Sequence, residues 1–211
     1  KFRFYRIRYD PGEITMQLRH RFSEKVVIAF GPAFQFYNLD ENEKLNAQRN
    51  VVVNIATNGL NPNTVFDRQS YFGGVFSFIL DTRNHLVLPE KGIHWTNNVR
   101  FWNGLKGDSY DDVTQVNSDF AFYLNVLPNH LVLANRTGGG ATLGKNGFEF
   151  FQAQYLGNND NLRGYRRERF AGKYKFYNQT DLRLKIADFK TYLFPGSIGI
   201  VGFFDVGRVW V

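Results

Sequence analysis

The sequence predicts an all-β fold, a transmembrane antiparallel β-barrel, on three observations. Apolar and polar residues alternate along most of the chain, which is the period of a strand with one buried face, and helical spacing is not found. The alternating runs are about 9–14 residues long, whereas globular strands usually have about 5–6 residues and tilted membrane strands about 9–11. Aromatic residues make up 17% of the chain although the mean hydropathy is -0.36, as expected when an apolar lipid face is joined to a polar lumen face.

Nine strands are predicted in order along the chain, separated by turn signals rich in Pro, Gly, Asn and charged residues. They cover about 1–9, 13–22, 26–39, 68–83, 92–105, 113–126, 130–142, 174–187 and 196–211. The alternation assigns one apolar face to each of the clearest runs, and the residues expected on these faces include Tyr5, Ile7, Ile14, Met16, Leu18, Trp95, Val99, Phe101, Phe120, Phe122, Leu124, Leu182, Leu184 and Ile186.

Two connections are much longer than the others, and they define the predicted domain organisation. We expect 40–67 to be a long extracellular loop and 143–173 to be a second loop, named here the lid loop. Long and short connections alternate as they do at the two ends of an outer-membrane barrel, so we expect a single, partial barrel domain over 1–211. Nine is an odd number for such a barrel. The chain is therefore part of a larger barrel, or the strand count is off by one, or several chains close the sheet together.

Basic residues account for the net charge of +7, and the alternation places many of them on the polar faces. The residues expected to form a basic lumen are Arg6, Arg8, Arg19, Arg21, Arg100, Arg183 and Lys185. We expect them to be hydrated and partnered by acids such as Asp119 and Asp181. The alternative is that they bind lipopolysaccharide phosphates or anionic solutes. Nucleic acid is not an expected partner, because stacking platforms need rings beside a basic groove and here rings and charges fall on opposite faces.

No motif in the chain predicts catalysis, a cofactor or a metal site. The chain has no cysteine, and its four histidines are scattered without ligand spacing. Gly138-Gly139-Gly140 lacks the Lys-Ser/Thr of a phosphate-binding loop, and we expect it to mark a strand end thinned to admit the lid loop. We therefore expect a protein that is not an enzyme, apart from any enzyme domain attached upstream.

A lone carboxylate on the last strand is the most specific feature of the sequence. Asp205 interrupts an apolar run, and an unpaired carboxylate there is costly unless a cation meets it. Arg163, in an Arg-Gly-aromatic tip of the lid loop, is the candidate partner. If Asp205 points inward, the alternation turns Val201, Phe203 and Gly207 inward and Ile198, Ile200, Phe204 and Val206 towards lipid.

The tip Leu162-Arg163-Gly164-Tyr165 and the strand motif Phe203-x-Asp205-x-Gly207 resemble the two signatures of the BamA-type bacterial surface antigen superfamily. Asp81-Thr82-Arg83 followed by Pro89-x-x-Gly92 resembles that family's periplasmic turn. The resemblance implies a sixteen-stranded barrel in the outer membrane of a Gram-negative (diderm) bacterium, of which this chain holds about nine strands. It also implies that Arg163 pairs with Asp205 inside the barrel, and that Asp181 lies nearby. We expect Gly164 to permit the sharp turn and Tyr165 to pack against the barrel wall.

The function that this resemblance implies is assistance to the assembly or translocation of proteins at the outer membrane. The expected partners are the lipid bilayer, lipopolysaccharide, unfolded β-barrel clients and periplasmic or lipoprotein subunits. Two alternatives stay open at the level of the sequence. One is a barrel that anchors or exports an N-terminal hydrolase domain, a phosphoesterase or phospholipase, and the other is a passive channel.

Overall fold

The computed structural model describes residues 10–38, 68–105, 112–145, 147–158, 160–189 and 196–211. The strands are β1 Asp10–Thr15, β2 Leu18–Arg21, β3 Val26–Asn38, β4 Gln69–Asp81, β5 Gly92–Gly104, β6 Asp112–Leu127, β7 Leu131–Gly144, β8 Gln154–Leu156, β9 Phe170–Gly172, β10 Tyr174–Phe189 and β11 Gly196–Trp210. A short 3-10 helix, Phe150–Gln152, precedes β8. The predicted strand 1–9, with Arg6 and Arg8, and the predicted loop 40–67 lie outside the described residues.

One antiparallel sheet of nine strands dominates the structure, and it confirms the predicted fold class. Its order is β1-β3-β4-β5-β6-β7-β10-β11, with β2 paired to β3 beyond the end of β1. Strands β8 and β9 form a separate hairpin inside the lid loop. Within the described part of the chain the sheet does not close, because β1, β2 and β11 each pair on one side only.

The predicted strand 13–22 appears as two strands, β1 and β2, because of Pro32 on the facing strand. Proline has no N–H to donate to the ladder. The backbone N–H of Met16 still donates to the carbonyl of Pro32 at 3.1 Å, and both strands keep the same register against β3. The interruption therefore changes neither the direction of the strand nor which face each side chain occupies.

The two faces of the sheet differ in the way that the alternation predicts. On β4, the outward Phe72 and Phe76 are 53% and 39% exposed, whereas the inward Tyr71 is 0% exposed. Large exposed hydrophobic residues recur on the outer face of strand after strand: Phe30, Phe72, Phe76, Trp95, Phe101, Phe120, Leu124, Phe176, Leu182, Leu184, Ile198, Ile200, Phe204 and Val206. Such a band is what a barrel presents to lipid. Among the described residues, no helix has the length and apolar character needed to cross a membrane.

The hydrophobic core lies between the inner face of the sheet and the lid loop. Ala33, Tyr71, Val75, Trp102 and Val113 form it, each from an inward position near the long-connection end of β3 to β6. Phe148 and Phe151 of the lid loop pack against this cluster. The lid loop is thus folded inward over the sheet. After Phe151, the loop continues towards β10 and β11.

Candidate functional site

The far end of the lid loop rests against the inner face of four neighbouring strands, β6, β7, β10 and β11. These four strands are called the wall. Their register aligns inward-facing residues in rows that cross the wall. The first row is Asp119, Gly138, Tyr177 and Gly207; the second is Ala121, Arg136, Gln179 and Asp205; the third is Tyr123, Ala134, Asp181 and Phe203. Strand pairing therefore brings together carboxylates that are far apart in the sequence, beside small residues that leave room for the loop.

The motif at 162–165 lies in the turn that joins β8 to β9, of which the structure describes 157–158 and 160–169. This whole turn is called the tip from here on. Gly157 and Gly164 have φ of +124° and +86°, in the left-handed region that glycine adopts without a steric penalty. The backbone N–H of Asn158 donates to the carbonyl of Tyr165 at 3.1 Å and closes the turn. This local geometry holds Arg163, the residue before Gly164, against the wall.

Two leucines of the lid loop fill the space over Gly207 of the wall. Leu156 and Leu162 are 1% and 5% exposed. A Cβ placed on Gly207 would lie 3.1 Å from Cδ1 of Leu156 and 3.5 Å from Cδ1 of Leu162. Burying each leucine side chain contributes about 1.5–3 kcal/mol, so the missing side chain of Gly207 makes a substantial apolar contact available to the loop.

Arg163 bridges two carboxylates on adjacent strands of the wall. Its Nε donates to Oδ2 of Asp205 at 2.8 Å, and its Nη2 donates to Oδ1 of the same carboxylate at 2.5 Å. The backbone N–H of Arg163 also donates to Oδ2 of Asp205, at 2.9 Å. Nη2 further donates to Oδ1 of Asp181 at 2.8 Å. Asp205 thus accepts a two-point guanidinium contact and a main-chain hydrogen bond from one loop residue.

The burial of these groups decides how strong the contact is. The side chain of Asp205 is 5% exposed, while those of Arg163 and Asp181 are 25% and 18% exposed. The guanidinium also lies 4.3 Å from the ring centroid of Phe203, within the range of a cation–π contact. Hydrogen bonding to Asp205 raises the pKa of the Arg163 guanidinium above its ordinary value.

A second arginine, Arg136 on β7, holds the tip from the side of the wall. Its Nε donates to both oxygens of Asp119, at 2.8 and 2.9 Å, and its Nη1 donates to the backbone carbonyl of Asp160 in the tip at 2.6 Å. The hydroxyl of Tyr177 donates to Asp119 as well. The Tyr177 ring lies across Gly138, where a Cβ would collide with it. The side chain of Arg136 therefore holds a main-chain carbonyl of the loop, whereas Arg163 of the loop contacts the wall through both its side chain and its backbone N–H.

The structure brings the predicted tip residue Arg163 to the predicted partners Asp205 and Asp181, with Phe203 and Gly207 beside it. Tyr165 differs from its prediction. It is 52% exposed, and its ring packs edge-to-face on Phe170 of β9 rather than into the wall. The reason is that Gly164 reverses the chain after Arg163 and directs the next residue back along the hairpin.

The five predicted basic lumen residues that the structure describes lie on the inward face, but only one of them approaches the tip. Arg183 donates to Asp181 at 3.3 Å and so shares a carboxylate with Arg163. Arg100 lies 3.5 Å from Glu13, and Lys185 lies 2.7 Å from Asp188. Arg19 and Arg21 are exposed on β2, at the opposite end of the strand order from β10 and β11, and so they lie away from the tip. The placement of Arg6 and Arg8 lies outside the described residues.

Sequence reasoning missed Arg136 and the aromatic segment 147–156, which is called the base of the lid loop from here on. The predicted strand 130–142 includes Arg136, but the meaning of that position depends on a register with β6 and β10 that local pattern does not reveal. The base carried a visible signal, the run Phe148-Glu149-Phe150-Phe151, which is unusually aromatic for a polar loop. Among the described residues no cluster of His, Asp and Glu is arranged to hold a metal ion.

Comparison with known proteins gives one family and one fold. The profile of the Omp85 superfamily domain matches residues 2–211. Among solved structures, the chain is similar to BamA from Haemophilus ducreyi lacking POTRA domains 1–3, with a TM-score of 0.71 and 18% sequence identity. The match covers 96% of this chain and 42% of that one, so the chain spans less than half the length of this structural relative. None of the curated protein sequences matches significantly.

Proposed function

This chain belongs to the Omp85 superfamily of outer-membrane insertase and translocase barrels, and from that premise we propose that it assists the assembly or translocation of proteins at the outer membrane of a Gram-negative bacterium. Its partners in this role are the lipid bilayer and lipopolysaccharide on the outer apolar band, and unfolded β-barrel clients on the inner side. Periplasmic or lipoprotein subunits would deliver those clients. The proposal requires no cofactor.

The observation that carries the proposal is the lid loop held across the inner face of the wall. A passive pore needs only a constriction, whereas here one loop guanidinium bridges two strands through Asp205 and Asp181. The Arg163 side chain is 25% exposed, so water can replace its contacts one at a time. Such a contact is strong enough to hold a closed state and can open without nucleotide hydrolysis, which suits a compartment that lacks ATP.

Opening of the tip would clear the inner face of β10 and β11 for a passing polypeptide. The tip places Leu162 and Arg163 on this part of the wall, over Gly207 and Asp205. Release would uncover Asp205, and the part of Gly207 that Leu162 covers, on strands that border an unclosed edge of the described sheet. We infer that the loop position controls access to this surface, and that the chemistry of the site is conformational rather than catalytic.

Depletion of the protein in cells tests the proposal. If the barrel assists assembly, other outer-membrane β-barrels should fall in abundance while inner-membrane proteins stay constant. Unchanged levels of every other barrel would exclude the insertase role, and unchanged secretion of exported polypeptides would then exclude translocation. A large, steady conductance in planar bilayers that does not respond to Arg163→Ala would indicate the passive channel instead.

A further inference from the structure

We propose that the lid loop is held by two anchors that release separately, and that only the tip, 157–169, moves. The first anchor is the base of the loop, 147–156, and the second is the contact of the tip with β7, β10 and β11. The two-anchor arrangement specifies which part of the lid loop moves in the proposed function. It rests on that function only because it takes the lid loop as the element that moves.

The base is anchored by stacked aromatic rings near the long-connection ends of β3 and β4. Phe151 lies parallel to Tyr37, with ring centroids 4.5 Å apart and an interplanar angle of 15°. It also meets Tyr71 edge-on at 6.0 Å. Phe150 contacts the Tyr37 ring from another direction, at 5.3 Å and 81°. Both tyrosines are 0% exposed. Rings in these geometries attract each other in addition to the gain from burying their area.

A buried polar network fixes the backbone of the same segment. The carbonyl of Gln152 accepts hydrogen bonds from Nε2 of Gln115 and Oγ1 of Thr142, each at 2.7 Å. Nε2 of Gln69 donates to Oε1 of Glu149 at 3.0 Å. Gln152 and Thr142 are 0% exposed and Glu149 is 4% exposed. Breaking such a network leaves buried groups without partners, so the base resists local opening.

The tip is far less buried than the base. From Gly164 to Arg169 every residue is exposed, and the side chain of Arg167 is 80% exposed. The described contacts of the tip with the wall are made by Arg163, Leu162 and the carbonyl of Asp160. Arg166 and Arg169 have partners as well. Segments with few buried contacts open at lower free energy than segments with many. The boundary falls at Gly157, whose positive φ separates the extended β8 from the turn.

Hydrogen–deuterium exchange of the full-length protein in lipid nanodiscs tests the proposal, because each part has hydrogen-bonded amides of its own. In the base, the N–H groups of Gln152 and Ala153 donate to Glu149 and Phe150 carbonyls at 2.9 and 3.1 Å. In the tip, the amides of Leu162 and Arg163 are bonded. Arg163→Ala should speed exchange in the tip at least tenfold and leave exchange in the base within twofold of wild type. Arg167→Ala, which removes an arginine outside the anchor, should change neither.

Phe151→Leu provides the reciprocal measurement, since it keeps most of the volume and the fold while removing the stacked ring. Exchange in the base should rise at least tenfold. Equal acceleration of base and tip in Arg163→Ala would overturn the proposal, because the loop would then release as one unit. Base amides that exchange as fast as tip amides in the wild type would overturn it as well. Neither result bears on client assembly, which the depletion experiment measures separately.

Discussion

Removal of the Arg163 side chain is the perturbation whose cost the structure defines best. Arg163→Ala leaves Asp205, 5% exposed, with only the main-chain N–H of residue 163 as a partner from the tip. Breaking a fully buried ion pair costs about 3–5 kcal/mol. Because Arg163 is 25% exposed in a wet lumen, we expect a smaller loss, about 2–3 kcal/mol.

Heat modifiability on semi-native gels measures this loss, with the folded fraction followed against temperature. For a chain of this size about 1 kcal/mol lowers the melting temperature by roughly 2–4 °C, so Arg163→Ala should lower it by roughly 4–12 °C. Asp205→Ala should give a similar value, because it removes the acceptor of the same contacts. Arg163→Lys should recover only part of the loss, since an ammonium does not reproduce the two-point contact.

The double variant decides whether the two residues act as a unit. Arg163→Ala with Asp205→Ala should melt close to either single variant, which corresponds to a coupling free energy of about 2 kcal/mol. Arg183→Ala is the matched control, because this arginine lies on the same wall with a single 3.3 Å contact to Asp181, and its loss should cost below about 1 kcal/mol. Fully additive losses in the double variant would refute the pairing.

Three further substitutions test the wall, the membrane orientation and the turn. Gly207→Val should displace the two loop leucines, at a cost of about 1–3 kcal/mol, and lower the melting temperature by several degrees. Gly202→Val is the control and should have little effect, because nothing lies within 4 Å of a Cβ at that position. Equal effects of the two substitutions would contradict the packing at Gly207. Ile200→Lys should destabilise the folded barrel by about 2–4 kcal/mol and so lower its folded yield in membranes, whereas Val201→Lys should be tolerated. A larger loss for Val201→Lys than for Ile200→Lys would mean that the two faces are assigned the wrong way round. Gly164→Ala should cost about 1 kcal/mol because φ is +86° there, and an unchanged melting curve would argue against that turn.

The sequence predicts the faces of this sheet better than it predicts the contacts between distant strands. The alternation along β11 is local, and it correctly turns Asp205 away from Ile200 and Phe204. The relation of Asp119 to Arg136, by contrast, depends on the register of β6 and β7, which turn geometry sets. Local pattern is silent on that register.

The lid loop was harder to predict because its polar composition conceals its burial. Gln152 and Gln154 are 0% and 2% exposed, although glutamine in a long loop normally faces water. Nε2 of Gln152 has no hydrogen-bond partner among the described residues. Oε1 of Gln152 accepts from the N–H of Glu149, and Nε2 of Gln154 donates to Oγ1 of Thr142, which offsets part of the cost of burying these amides. Only the tertiary structure supplies those partners. The tip was accessible to prediction because a lone inward carboxylate requires a cation.

A disulfide between the tip and the wall gives the most direct test that release of the tip is required for function. The chain has no cysteine, so Leu162→Cys with Gly207→Cys introduces the single pair of thiols in this segment, at positions in contact. The full-length protein, reconstituted in lipid vesicles, is assayed for the folding rate of an unfolded outer-membrane β-barrel client. We predict at least a tenfold fall when the disulfide is formed and recovery when it is reduced. An unchanged rate with the disulfide fully formed would contradict the account.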